Sequence, residues 1–324
     1  MDELMQKGFS IKPTRIIKVK SYYIINSKRG LFKLNQPLCK AEDICFTNNI
    51  KEHLYSNNFI NIDRYVMSSR KKPYYSKDDR IYTLSVYRDY DEINISDRDS
   101  FLLLIKNIAV MHKNLINIDS IDNGKTPKTD LINDYKKQYK AFVSLKRKIA
   151  NKTRLSDFDV YYIKNYGFYK KEMEESINLL EKTNLNKQIE YAYETNRVCH
   201  TLLKESNITK HGEEIFFSSF EEAKVEPQLF DLIYIIKRYI KTMAGEKIDI
   251  KKIIGVYIEN NDTIDSEDLN ILYPVLRFPA NYVKLCDEYY KKKRTWAPNA
   301  LTKKMNDIIY TNEFYYEYIN SLWY

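Results

Sequence analysis

Cysteine and histidine are both scarce, with four of each in 324 residues. Cys39, Cys45, Cys199 and Cys286 are scattered without a CxxC pair, which argues against a zinc site and against a disulfide framework. Reduced, mostly buried thiols are the expectation. No apolar run approaches the roughly 20 residues that span a bilayer, so no membrane partner is expected. The opening stretch, MDELMQKGFSIKPTR, is polar and has no apolar secretory core, which predicts a protein made and kept in a cytoplasm. There is no internal repeat, no low-complexity segment and no signature of a nucleic-acid-binding fold. Glycine is rare (7) beside 29 tyrosines and heavy use of Lys, Asn and Ile. An AT-rich coding bias is the simplest common cause.

What remains is the composition of a folded chain, 44% hydrophobic and 30% charged. The length exceeds a usual single core, so two packed lobes are expected. The net charge of +9 raises the question of a polyanionic partner. Its lysines gather at 136–154 and in Lys291-Lys292-Lys293-Arg294, both within helical patterns. A solvated helix face is the expected reading there, and nucleic acid is not an expected partner.

Ile16–Val19, Tyr22–Ile25 and Leu31–Leu34 read as strands, with a turn over Asn26–Gly30. Lys33 shares a face with Leu31, opposite Phe32 and Leu34. A lysine inside an apolar strand needs a partner, because burying its charge alone is costly; Glu52 and Glu42 are the candidates. Phe46, Ile50 and Leu54 mark a helix, and Arg64–Met67 and Ile81–Tyr87 mark further strands. These elements form a small α+β lobe. Phe101, Leu104, Ile105, Ile108, Met111, His112 and Leu115 then define a strongly amphipathic helix. Longer, charged helices follow around 134–150 and 170–182, with another at 267–293 that breaks at Phe278-Pro279. A last helix, 301–324, ends in the aromatic run EFYYEYINSLWY.

Between these helices lies Val198–Asp231. A short strand ends at Val198-Cys199, Asn207-Ile208-Thr209 begins another, and Ile215-Phe216-Phe217 returns. Asp231 stands at the head of the apolar stretch Leu232–Tyr239. Polar loops carried on short strands are a good place to hold catalytic or metal groups.

The order of elements resembles the bilobal kinase-like α+β fold of the aminoglycoside phosphotransferase superfamily. Within it the chain resembles the CotS family of bacterial spore coat proteins. Ile108-Ala109-Val110-Met111-His112 is similar to that family's L-A-x-x-H helix end. Cys199-His200 and Asn207-Ile208 stand at the spacing of C-H-G-D-x-x-x-x-N-I. Asp231-Leu232 follows the second strand, and Leu276-Arg277-Phe278-Pro279, Tyr289-Tyr290 and Trp296 resemble the family's ending. The resemblance spans about residues 15–296. It implies a β-rich N-terminal lobe over residues 1–88 and a helical lobe over 89–324, the latter ending in the aromatic helix.

Phosphoryl transfer in such a fold needs a carboxylate to orient or deprotonate the acceptor, an Asn and an acid to hold Mg²⁺, and a strand lysine for the phosphates. By the resemblance, Leu202 stands at the base position and Ser219 at the metal-binding acid. Neither side chain supplies a carboxylate. Lys33 falls at the strand lysine and Asn207 at the metal-binding amide, with Glu205 and Glu221 as substitute acids, Glu221 the better placed for the metal. His112, His200 and Asp231 take bracing roles. With base and metal acid both replaced, the expectation is a pseudokinase: a structural spore coat protein, made in the mother cell, with other coat proteins as partners. No cofactor would then be required, neither ATP nor Mg²⁺. A divergent small-molecule or sugar kinase, and an ATP-binding protein without catalysis, are the competing expectations.

Overall fold

The computed structural model describes residues 1–19, 21–119, 128–242, 248–291 and 298–320. The chain divides into two compact units. The first comprises 1–127, 190–234 and 253–263; the second comprises 128–189, 235–252 and 264–324.

The first unit is built on a five-stranded antiparallel sheet. Strands β1 (Pro13–Val19), β2 (Tyr22–Ser27), β3 (Gly30–Asn35), β4 (Tyr75–Lys77) and β5 (Arg80–Val86) lie in the order β1-β2-β3-β5-β4. Ser27 pairs with Gly30 across the Lys28-Arg29 turn, and Gly30 takes a φ of +121° that a side chain would strain. The alternation of β3 sorts its residues by face. Phe32 and Leu34 enter a core with Ile25, Leu84, Leu4, Met5 and Phe9, whereas Lys33 points the other way.

Leu4, Met5 and Phe9 come from a helix, α1 (Asp2–Phe9), that covers this face of the sheet. Burying such side chains is worth about 1.5–3 kcal/mol each. Helix α2 (Ala41–Ser56) turns Ile44, Thr47, Ile50, Lys51 and Leu54 inward, and Phe46 is only half-buried. The expected strand at Arg64–Met67 reduces to one bridge, Tyr65 to Ser85. The Val66 amide still reaches the Leu84 carbonyl at 2.7 Å.

A second sheet joins β6 (Asp91–Glu92), β8 (Ile208–His211) and β9 (Glu214–Phe217), while β7 (Val198–Cys199) pairs with β10 (Lys224–Val225). Helix α3 (Arg98–Asn114) is capped by Asp97, whose carboxylate accepts the Ser100 N–H, and buries Phe101, Leu104, Ile105, Ile108 and Met111 as its spacing predicts.

The second unit is helical. It contains α4 (Leu131–Ala150), α5 (Asp157–Leu180), α9 (Leu272–Arg277), α10 (Ala280–Lys291) and α11 (Pro298–Asn320). Between α5 and α9 in the chain come α6 (Leu185–Glu194), α7 (Leu229–Thr242) and α8 (Ile250–Asn260). Stacked rings fill its core, with Tyr135 on Phe278 at 3.6 Å between centroids and Tyr169 on Tyr282 at 3.5 Å.

The aromatic end of α11 divides. Tyr315, Tyr316, Tyr318 and Ile319 are buried, whereas Tyr310 and Phe314 are exposed. Trp296, Lys292-Lys293-Arg294 and Trp323 lie outside the described residues. All four cysteines are free, but only Cys199 and Cys286 are buried; Cys45 is exposed, on the outer side of α2. Among the described residues, no helix is long and apolar enough to cross a membrane.

Candidate functional site

The chain leaves β7 at Cys199 and enters a loop fixed by one carboxylate. Asp231 accepts the backbone N–H groups of His200 (2.6 Å) and Thr201 (2.9 Å) and lies 3.1 Å from His112 Nε2. Burial alone would raise the Asp231 pKa. The hydrogen bond and charge of His112, with the His200 contacts, more than offset this and hold it below the usual carboxylate range. His112 is itself tied to the Tyr257 hydroxyl at 2.8 Å. Helix α7 starts at Leu229, so Asp231 sits in its first turn and braces the β7 loop.

His200 is fully buried. Its Nε2 lies 3.0 Å from the Ser218 carbonyl and its Nδ1 lies 3.2 Å from the Leu202 N–H. A carbonyl can only accept and an N–H can only donate, so the proton sits on Nε2 and the ring is neutral. Burial pushes its pKa down, in agreement. Thr201 occupies the left-handed region, φ +61°, where the resembling motif has glycine. That conformation costs a β-branched residue about 1–3 kcal/mol. It is held by the Asp231 bond and by the Thr201 hydroxyl donating to the Glu222 carbonyl at 2.6 Å.

Asn207 acts as a clasp in the same loop. Its Nδ2 donates to the Leu202 carbonyl at 3.0 Å, and its own carbonyl accepts the Ser218 N–H at 2.9 Å. Ser219 has φ +69° and donates its N–H to the Asp63 carboxylate at 3.1 Å. Glu221 accepts from the Tyr65 hydroxyl at 3.0 Å. Glu205 is half-buried at the start of the turn 205–207.

A buried cation binds this end of the site together. Lys51 is 0% exposed, its ammonium 2.9 Å from Asp63 Oδ1 and 3.8 Å from the centre of the Tyr65 ring. The positions of Asp63 and Glu221 around one ammonium set their titration. Burial raises the Asp63 carboxyl against the pull of Lys51. Burial also acts to raise Glu221, but there the Lys51 charge and the Tyr65 bond prevail and lower it. Two acids sharing one lysine separate in this way.

Lys33 faces a cavity of about 130 Å³ lined also by Asp63, Val86, Tyr90, Thr209 and Ser218. Its ammonium lies 4.7 Å from the centre of the Tyr22 ring. Neither expected acid pairs with it. Glu52 holds Arg64 at 2.7 Å, and Glu42 is exposed in the first turn of α2. Among the described residues, no carboxylate lies within ion-pair distance of Lys33. The structure thus brings Lys33, Ser218 and Asp63 to one cavity, with Ser219 and Glu221 behind Asp63. Ser206, and not Glu205, reaches the cavity lining.

Sequence reasoning missed Lys51 and Asp63. The signal for Lys51 was its place seven residues after Ile44 and four after Thr47, on the apolar stripe of α2.

These donors do not fit a divalent cation. Leu202 offers nothing, Asn207 offers one neutral oxygen, and Asp63 and Glu221 already share an ammonium. Among the described residues, no three His, Cys, Asp or Glu side chains gather as metal ligands.

A family model described as spore coat putative kinase YutH matches residues 2–322. A comparison with curated protein sequences finds no match. An aminoglycoside phosphotransferase from Alicyclobacillus acidocaldarius superposes with a TM-score of 0.82 at 13% identity, covering 96% of this chain and 91% of that one. The AMP-bound complex of a spectinomycin phosphotransferase gives 0.66 at 12%, covering 97% and 96%. An amicoumacin kinase in complex with AMP-PNP and Ca²⁺ gives 0.55 at 11%, covering 98% and 92%. At these identities the likeness establishes the fold, an aminoglycoside phosphotransferase-like kinase fold.

Proposed function

Since the chain belongs to the spore coat putative kinase YutH family, we propose that it is a pseudokinase serving as a structural protein of the spore coat. It is made in the mother-cell cytoplasm, and its partners are other coat proteins. The observation that carries this reading is the charge arrangement behind the cavity. A kinase needs a base at the position of Leu202 and free acid oxygens for a metal at the position of Ser219. Leu202 has no proton to move. The acid nearest Ser219 is Asp63, and its charge is balanced by Lys51 at 2.9 Å. Glu221, the best substitute acid, lies in the same charge set and is held by Tyr65 at 3.0 Å.

One observation favours a second reading, in which a nucleotide is bound and left intact. Lys33 presents an ammonium to the cavity without a carboxylate partner, and an anionic phosphate is its natural counter-charge. Since Asp63 is already neutralised by Lys51, such binding requires no divalent ion.

Incubation with ATP, with Mg²⁺ and with EDTA, tests both readings. No phosphate or ADP release above the buffer blank is expected. Turnover abolished by Glu221→Ala would overturn the pseudokinase reading in favour of a divergent small-molecule or sugar kinase. For the second reading, ATP should raise Tm equally with Mg²⁺ or EDTA, and Lys33→Ala should abolish the shift. A shift that requires Mg²⁺, or that survives Lys33→Ala, refutes it.

A further inference from the structure

The second unit has a cavity whose chemistry the kinase-like site does not use. It holds about 50 Å³ between α7, the Leu276–Pro279 bend and α11. By the measure on which one water needs about 10–15 Å³, that is room for a few waters or one tetrahedral ion, and too little for a nucleoside. Two of its lining side chains, Lys237 and Lys241, are cationic, and none is acidic.

Lys237 has few partners for a lysine in this position. Its ammonium donates to the Val275 carbonyl at 2.6 Å, which uses one of its three N–H groups. Burial and the neighbouring Lys241 charge push its pKa down to about 7. A cation held beside a second cation lacks a counter-charge. The floor of the cavity supplies further donors. Helix α10 begins at Ala280, so the first-turn N–H groups of Asn281 and Tyr282 have no acceptor within their own helix. The Tyr282 side chain is 0% exposed, and its hydroxyl has no hydrogen-bond partner. The other tyrosine hydroxyls here are engaged, Tyr315 with the Leu276 carbonyl and Tyr316 with the Arg277 carbonyl. That hydroxyl has no open surface and does not line the cavity; the lining itself offers two ammonium groups and the start of a helix, and no carboxylate.

We propose that this cavity binds one small oxyanion of the phosphate type through Lys237, Lys241 and the first-turn amides of α10. Each contact is a donor, and two are lysine side chains that an anion would hold in the charged form, the combination that favours a tetrahedral oxyanion. The same chemistry suits free phosphate or sulfate and the phosphate end of a small monoester.

Calorimetry and thermal shift with sodium phosphate, sodium sulfate and glycerol 3-phosphate test this, using sodium chloride at matched ionic strength as the control. Saturable phosphate binding is expected, with an added rise in Tm that chloride does not give. Lys241→Gln, a change at an exposed side chain, should weaken binding about tenfold or more by removing one charge-assisted contact. Lys237→Met should weaken it severalfold while leaving the Tm of the unliganded protein equal or higher, since it removes a buried ammonium that has no counter-charge. A purely structural lysine would not give that split. Glycerol 3-phosphate binding as tightly as phosphate identifies a monoester as the source; failure of the ester alone identifies the free ion. The proposal is overturned if phosphate acts no differently from chloride, if Lys241→Gln binds unchanged, or if Lys33→Ala is the change that abolishes binding.

Discussion

Lys51 carries an ammonium into a place with no solvent, where an unpaired charge would cost several kcal/mol. Asp63 and the Tyr65 ring offset that cost, so the pair behaves as a unit. Lys51→Met alone leaves the Asp63 carboxylate buried without its cation and should destabilise the protein by about 3–5 kcal/mol. The double change Lys51→Met/Asp63→Leu should recover most of the loss, because both buried charges disappear together. Urea denaturation of the two variants and the parent gives the comparison, and equal destabilisation in single and double variants would contradict it. Acid should also act through named groups. His200 has a lowered pKa in the folded state, so the unfolded chain takes up the proton first and stability falls as pH drops below about 6.5. Asp231 is also lowered. Its contribution is complete above about pH 4 and is lost as pH falls through the lowered value. Denaturation across pH 3–8 should show both stages, and His200→Gln should remove the higher one. His200 and Asp231 were singled out through the family resemblance, and the structure brings them together at 2.6 Å. Lys51 was not legible because a lysine inside a strand, such as Lys33, calls for an acid opposite it, and α2 presents a base on its inner stripe.

Elements with a strong repeat were legible. Strand β3 of the β2–β3 hairpin and α3 bury one face at the period their sequences show, and β9 buries Ile215, Phe216 and Phe217 together as a short apolar run should. Helix α1 was not legible, because eight residues, half of them polar, form no stable helix in water; the open face of the sheet holds it. Arg64–Met67 read as a strand by β-propensity, yet it makes a single bridge, with Asp63 and Tyr65 engaged by Lys51 instead. The aromatic end of α11 leaves Tyr310 and Phe314 exposed and buries Tyr315, Tyr316 and Tyr318. Their hydroxyls bond the Leu276, Arg277 and Ile248 carbonyls. Ending the chain after Lys303 removes these contacts and should collapse the cooperative circular-dichroism melt of the second unit. Tyr310→Ser/Phe314→Ser alters only exposed rings and should leave stability within about 0.5 kcal/mol. Coat incorporation of that double variant then reports on docking alone. Unchanged incorporation would sink a docking role for this face.

At the scale of the whole molecule, the kinase-like fold was legible because its evidence is an order of elements, and order survives when individual residues change. The two compact units were harder to read, since they interleave along the chain and no shift in composition marks the crossings. Net charge is the other whole-molecule property. The excess of +9 would favour polyanions if the lysines stood free. On the helices of the second unit many are paired: Lys136 with Glu181, Lys152 with Asp159 at 2.7 Å, and Lys170 with Glu174 at 2.6 Å. Exposed pairs of this kind add little stability, but each places an acid beside the base and weakens the field that a phosphate backbone would meet. Polyanion affinity comes from counterions released by uncompensated cations, with log K falling by about 0.9 per phosphate contact for each decade of salt. Each cation paired in this way is one fewer available for such contacts. Binding to a short random-sequence DNA duplex at 0.15 M salt should therefore be weaker than about 100 µM, the weak end of non-specific association. Its salt dependence below that concentration should correspond to only about one or two contacts. Fluorescence anisotropy over a salt series measures both quantities. A micromolar affinity with a slope of five or more would mean that the charge is concentrated on one face, and a polyanion would then replace the coat proteins as the partner to pursue.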